Sequence, residues 1–116
     1  MMLLSISLTT YSFGQKTIAL KGNECRSAGP SRNCITFLSG TQLTISSSNY
    51  AQSGTLASNT CISAGLGRNC ITFMAGQPVS FDVSGYAKSG VLASSTSIGK
   101  VGQTVNFDEA GNPLKQ

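Results

Sequence analysis

The strongest constraint on this chain is that it says one thing twice. Residues 27–40 read SAGPSRNCITFLSG and residues 63–76 read SAGLGRNCITFMAG, a shift of 63 − 27 = 36 positions. The duplication carries its cysteines with it: Cys25 and Cys34 match Cys61 and Cys70, with a spacing of 9 in both copies. Four cysteines permit three connectivities. The duplication selects one, because a unit copied with both of its cysteines most simply closes its own loop, so the expected disulfides are Cys25–Cys34 and Cys61–Cys70. Metal binding is the rival use of paired cysteines, but C-x8-C is not a zinc-knuckle spacing and the chain has no histidine.

The match runs on beyond the cysteines, through Gly40 with Gly76, Tyr50 with Tyr86, and SGTLAS with SGVLAS. A third, shorter copy follows, in which GQPVSFDVSG from Gly76 returns as GQTVNFDEAG from Gly102, a shift of 102 − 76 = 26. The missing 36 − 26 = 10 residues are those of the cysteine loop. A chain of 116 residues has room for one domain with a modest core. The expected organisation is a single β-repeat domain over residues 15–116, with repeats at about 23–58 and 59–94 and a partial copy at 95–116, as in an array that ends in a trimmed cap.

Within each copy the period is that of strands. Ile71 and Phe73, then Val79, Phe81 and Val83, alternate with Thr72, Ser80 and Asp82, and Gly, Ser and Asn punctuate the runs. The fold class this predicts is all-β: an antiparallel meander of hairpins whose sheet curls, stacks or dimerises to cover its apolar face. A three-residue loop at Ala75, Gly76 and Gln77 sets Phe73 opposite Val79 and Ile71 opposite Phe81. Two-residue turns are expected at Ser84-Gly85, Ser48-Asn49 and Ala110-Gly111, and Cys61 is placed opposite Cys70. That register puts Leu56, Ile62, Ile71, Phe73, Val79, Phe81 and Leu92 in the core, with the counterparts Ile35, Phe37, Leu43 and Ile45.

The first residues read as an export signal. An apolar run over residues 1–8 is far below the roughly 20 residues needed to span a bilayer. Ser12 and Gly14 supply small residues at the −3 and −1 places before Gln15, so residues 1–14 are read as a signal peptide, although no Lys or Arg precedes the run. No cysteine follows the run directly, which argues against a lipoprotein anchor. With a disulfide framework, the expected location is secreted, periplasmic or on the cell surface.

The phrase FDVSGYAKSGVLASST from Phe81, and ISSSNYAQSGTLASNT from Ile45, resembles the F-x-x-x-G-x-x-x-S-G-x-L-A-x-x-T pattern of bacterial β-hairpin repeat proteins, including MORN-variant arrays. The period of 36 is longer than the usual MORN unit, and the cysteine hairpin is an addition. The resemblance implies an exported or surface-associated protein and brings no catalytic residues with it.

The residue inventory excludes much chemistry. Charged residues make up 10% of the chain and the formal net charge is +4, but Lys and Arg are scattered, so the basic stripe of a nucleic-acid binder is absent. Without histidine there is no Ser-His-Asp triad, and no motif supports a Ser-Lys pair. Asp82 and Asp108 share one repeat position, with Glu109 beside the second, but the first copy has Ser46 there and an alternating strand points these acids into water. A Ca²⁺ site needs about six oxygen ligands, and carboxylates are few. Tyr50 and Tyr86 are expected to pack at the edge of the core.

Two candidate binding features remain. The recurring RNC places Arg32 with Asn33, and Arg68 with Asn69, in equivalent loops that could grip a carboxylate or a sugar, or could simply be solvated turn residues. The predicted register also sets Thr36 across from Thr44, Cys34 from Ser46 and Thr72 from Ser80, paving one side with hydroxyls that suit polysaccharide, ice, a neighbouring protein or plain water. The expected function is therefore that of a non-catalytic exported surface, matrix or binding module without a cofactor. The sequence does not identify a partner; the candidates are an extracellular glycan, another surface protein or a second copy of itself, with no nucleic acid and no membrane span. The alternative is a glycan- or ice-binding protein using the Ser/Thr face directly, and a small hydrolase stands third.

Overall fold

Backbone hydrogen bonds in the computed structural model, which describes residues 15–30 and 32–114, join ten strands into an all-β protein. The strands are β1 (Lys16–Ala19), β2 (Glu24–Ser27), β3 (Cys34–Phe37), β4 (Gln42–Ile45), β5 (Ala51–Thr55), β6 (Thr60–Ser63), β7 (Cys70–Phe73), β8 (Pro78–Phe81), β9 (Ala87–Val91) and β10 (Thr104–Asn106). Six of them make one antiparallel sheet in the order β1-β4-β5-β8-β9-β10, while β2 with β3 and β6 with β7 form separate two-stranded hairpins. The signal peptide expected over residues 1–14 lies outside the described residues.

The chain leaves the large sheet three times and each time returns as the neighbouring strand. Every departure is closed at its neck by a leucine and a glycine turn. Leu20 N–H donates to Thr41 O (2.9 Å) while Gly40 N–H donates to Leu20 O (2.9 Å). The pairs repeat as Leu56 with Gln77 and Gly76, and as Leu92 with Gln103 and Gly102. Gly40, Gly76 and Gly102 sit at φ 82°, 77° and 84°, a left-handed conformation that glycine adopts without the steric cost of a Cβ. The first two excursions are the cysteine hairpins, and the third is the short one, turned by a bridge between Thr96 and Gly99.

These necks correct the simple meander. The turn at 75–77 does not pair β7 with β8, and Phe73 does not face Val79; its partners are Thr60 and Leu92. The glycine turn is instead held by the buried Leu56, twenty residues earlier (76 − 56 = 20), a partner that alternation within adjacent runs cannot reveal. Backbone bonds also tie the end of each cysteine hairpin to the sheet: Leu38 N–H to Thr55 O (2.8 Å) and Met74 N–H to Val91 O (2.8 Å).

Both expected disulfides are present, Cys25–Cys34 and Cys61–Cys70. They bridge diagonally, since Cys25 faces Thr36 and Ser27 faces Cys34, and likewise Cys61 faces Thr72 and Ser63 faces Cys70. The expected pairing of cysteine directly opposite cysteine is thus off by two residues. An even slip preserves the face of every side chain, so the inward set is unaffected.

The tight turns also differ in form. Gly85 N–H donates to Asp82 O (3.0 Å) and Asp82 N–H to Tyr86 O (2.9 Å), giving a three-residue loop with Gly85 at φ 88°. A bulge between Ser80 and Phe81 absorbs the extra residue, and beyond it Ser80 faces Ser89 and Val79 faces Gly90, as a two-residue Ser84-Gly85 turn would have set them. Val83 falls in the loop and is 98% exposed in spite of its place in the apolar alternation.

The core lies between the sheet and the excursions folded onto one of its faces. All the expected core residues are buried except Ile71, which is half-buried; Leu20, Ala28, Ala51, Ala64, Ala87, Val105 and Phe107 complete the cluster. Phe37 and Phe73 are fully buried and lie on the backbone of Gly54 and Gly90, where a Cβ would stand 2.8 Å and 2.5 Å from the respective rings. Each ring also meets a sheet phenylalanine edge-on, Phe37 with Phe81 at 6.3 Å and Phe73 with Phe107 at 6.4 Å between centroids. Gly90→Ala should therefore destabilise by about 1–3 kcal/mol through overpacking. The exposed Lys88→Ala should stay within about 0.5 kcal/mol in the same urea unfolding series.

Candidate functional site

Because Leu43, Ile45, Val79 and Phe81 take the face under the hairpins, the residues alternating with them form the opposite face. Strand pairing carries a single polar row across that face: Thr17 with Thr44, Thr44 with Ser53, Ser53 with Ser80, Ser80 with Ser89, and Ser89 with Asn106. One small polar side chain thus comes from every strand of the sheet, with neighbouring strands about 4.8 Å apart. Thr17 and Thr44 hydroxyls are 3.0 Å apart, and those of Ser80 and Ser89 2.5 Å.

The row contains two of the expected site residues, Thr44 and Ser80, beside partners that sequence reasoning did not assign. Thr36 and Thr72 lie elsewhere, on the cysteine hairpins, because β3 pairs with β2 and β7 with β6. The expected juxtapositions of Thr36 with Thr44, Cys34 with Ser46 and Thr72 with Ser80 therefore do not form. The signal for the missed members was the recurring Ser-Gly of SGTLAS and SGVLAS: Ser53 and Ser89 face outward where Gly54 and Gly90 face the rings.

Beside the row lies a shallow depression of about 820 Å³, lined by Gln52, Ser53, Ser80, Asp82, Lys88, Asp108 and Glu109. Two of its acids are parts of the turns. Asp82 Oδ1 accepts from Ser84 N–H (2.9 Å) and Tyr86 N–H (3.0 Å), and Asp108 Oδ1 accepts from Ala110 N–H and Asn112 N–H, both at 2.9 Å. Ser46 Oγ takes the same position in the first turn, accepting from Ser48 N–H (3.3 Å) and Tyr50 N–H (3.2 Å), which explains why serine substitutes for aspartate there. The Asn112 N–H foremost, helped by the Asn112 side chain and the Ala110 and Gly111 N–H groups and opposed by desolvation, holds the Asp108 carboxyl below its ordinary value.

The RNC arginines are neither free ligands nor idle turn residues. Ser27 Oγ folds the first hairpin tip, lying 2.5 Å from Gly29 O and 3.0 Å from Arg32 O, and Ser63 does the same in the second. Arg32 Nε then donates to Ser84 O (3.2 Å), with its guanidinium 3.9 Å above the Tyr86 ring. Arg68 Nε donates to Ala110 O (3.2 Å), and its Nη2 to Asn112 Oδ1 (2.5 Å). Each cysteine hairpin thus clasps the turn of a later strand pair. The approach is close enough that a Cβ on Gly85 or Gly111 would stand 2.9 Å or 2.6 Å from the carbonyl of Ala28 or Ala64.

Among the described residues no hairpin tip reaches the first turn. There Asn49 holds φ 69° with a side chain present, and its carbonyl accepts from Arg26 Nη1 (3.0 Å), itself ion-paired with Glu24. Asn33 and Asn69 line corresponding grooves, one beside each hairpin.

Among the described residues no group of three or more His, Cys, Asp or Glu could hold a metal ion, and no helix is long and apolar enough to cross a membrane. The two disulfides suit an oxidising, extracellular environment. No protein-family model, curated protein or solved structure matches this chain.

The Asp108 clamp has a pH signature. Its carboxyl titrates lower when folded than when unfolded, so its contribution to stability is present above the ordinary carboxylate range and is lost as pH falls through the lowered value. Thermal unfolding followed from about pH 5 to about pH 2 should show a smaller decline for Asp108→Asn than for the parent, because the amide oxygen still accepts the turn N–H groups without titrating.

Proposed function

We propose that the protein is a non-catalytic exported module of the cell surface or extracellular matrix, and that it binds a polysaccharide through the outer face of its large sheet. The observation that carries this reading is the row Thr17, Thr44, Ser53, Ser80, Ser89 and Asn106, which offers donors and acceptors at the spacing of the strands. A glycan presents a matching series of hydroxyls, and Gln52 and Lys88 in the adjoining depression add further donors. Rigid strands hold these groups in place before the ligand arrives, which lowers the ordering cost of binding.

Export is supported by the disulfides together with the leader-like residues 1–14. The non-catalytic reading is supported by the use of Asp82 and Asp108 as turn clamps and by the lack of histidine anywhere in the chain. The hairpins with glycine turns agree with the resemblance to MORN-variant arrays, which we retain as part of this proposal.

The test is retention on a panel of insoluble polysaccharides, with ice adsorption measured alongside. The intact protein should be retained on at least one polysaccharide, and Ser53→Lys, in the middle of the row, should weaken retention at least about tenfold while changing stability by no more than about 0.5–1 kcal/mol. Equal retention of the variant, or adsorption to ice alone, would overturn the glycan reading.

A further inference from the structure

Two boundaries meet at Gln15. In the fold it is the residue before β1, whose ladder to β4 opens with Lys16 opposite Ile45 and runs to Ala19 opposite Gln42. A chain that starts at Gln15 keeps all of these pairs, whereas a cut after Lys16 would leave Ile45 without its β1 partner. In the sequence, Gln15 follows Ser12 and Gly14, the small residues at the −3 and −1 places of the export leader. The end of the leader and the start of the sheet thus fall at the same residue.

Cleavage at that boundary would release the α-amino group of a glutamine. Such a residue carries a nucleophile and an electrophile within reach of each other, because the amine nitrogen and the side-chain amide carbon close a five-membered ring, and the reaction is unimolecular. The new bond joins the α-nitrogen to Cδ and the bond from Cδ to Nε2 breaks. A proton passes from the amine to the departing nitrogen, which leaves as ammonia. The product is a pyroglutamyl lactam, and no oxidant, reductant or second substrate enters. Gln42, Gln52, Gln77 and Gln103 cannot follow this course, since their main-chain nitrogens are already amides.

The place of this residue gives the change a consequence. Alternation carried one residue back from β1 sets Gln15 on the side of Thr17 (17 − 15 = 2), and Gln15 lines the depression beside the polar row, where it is half-buried. A free terminus there would bring a positively charged amine to the row. The lactam is neutral and offers one N–H donor and one carbonyl acceptor, the same chemistry as the row itself. We propose that export leaves Gln15 as the first residue of the protein and that Gln15 is then cyclised to pyroglutamate, closing the chain with a neutral group at the β1 end of the polar row. Export by the leader is the part of the proposed function on which this rests; glycan binding is not needed for it.

The test is to express the full chain, residues 1–116, in a bacterial host, recover the exported protein, hold it in neutral buffer until its mass is constant, and measure that mass intact. The expected mass is that of residues 15–116 with both disulfides, less one ammonia. Stepwise sequencing from the N-terminus should be blocked, and pyroglutamyl aminopeptidase should unblock it to read Lys16, Thr17 and Ile18. Gln15→Ala should be cut at the same bond and be open to sequencing without that treatment. An exported protein that keeps the full mass of residues 15–116 and reads Gln15 first overturns the proposal while export stands, and so does a cut at any other bond. A chain that stays inside the cell uncut overturns the export reading and the proposal together.

Discussion

Everything in this structure that lies above the level of a hairpin depends on two phenylalanine rings resting on two glycines. A sheet with one apolar face needs a second layer, and the described residues contain no helix to supply it. Phe37 and Phe73 recruit the cysteine hairpins for that purpose, pressing against β5 and β9 where Gly54 and Gly90 leave the backbone bare. Burying each ring contributes roughly 1.5–3 kcal/mol. Contact with Phe81 and Phe107 then joins hairpin and sheet into one core. The disulfides keep each excursion in hairpin form so that its phenylalanine is presented correctly, and the tip arginines fix the other end on a turn.

This arrangement divides the two faces of the sheet between packing and binding. Because the excursions all fold to one side, the other side carries the small polar residues left by strand alternation, aligned by the pairing into a single row. The ends differ as well. Arg26, ion-paired with Glu24, holds the first turn where hairpin tips clasp the later ones, and the third excursion is shorter than the other two. Asn49 in place of glycine marks the same difference, since among the described residues no hairpin tip presses on that turn.

Sequence reasoning recovered what is local. Alternation with a period of two, duplicated cysteines and glycine turns sufficed for the all-β class, both disulfides and a core that includes Leu56, Ile62, Phe73 and Val79. It recovered the strand pairs joined by the cysteine loops and by the tight turns, but not which strands lie beside one another across the glycine turn at 75–77. Phe73 facing Val79 and Phe73 facing Leu92 both keep apolar residues on one side, so the rule of faces does not distinguish them; the choice is made by the hydrogen bonds of Leu56 to the neck. The same ambiguity misplaced Thr36 and Thr72 while leaving Thr44 and Ser80 correctly on the polar face. The role of Arg32 was hidden for a related reason, since Ser84 is 52 residues away. Gly54 and Gly90 were readable and went unused: a glycine recurring inside a strand signals close approach by another part of the chain.

The contact between ring and glycine can be observed directly by solution NMR of the oxidised protein. The expected result is a large ring-current displacement of the Hα resonances of Gly54 and Gly90, with nuclear Overhauser contacts from Gly54 to Phe37 and from Gly90 to Phe73. Hα shifts at both glycines in the range of exposed strand residues, with no contact to either ring, would show that the hairpins do not lie on the sheet and would contradict the account.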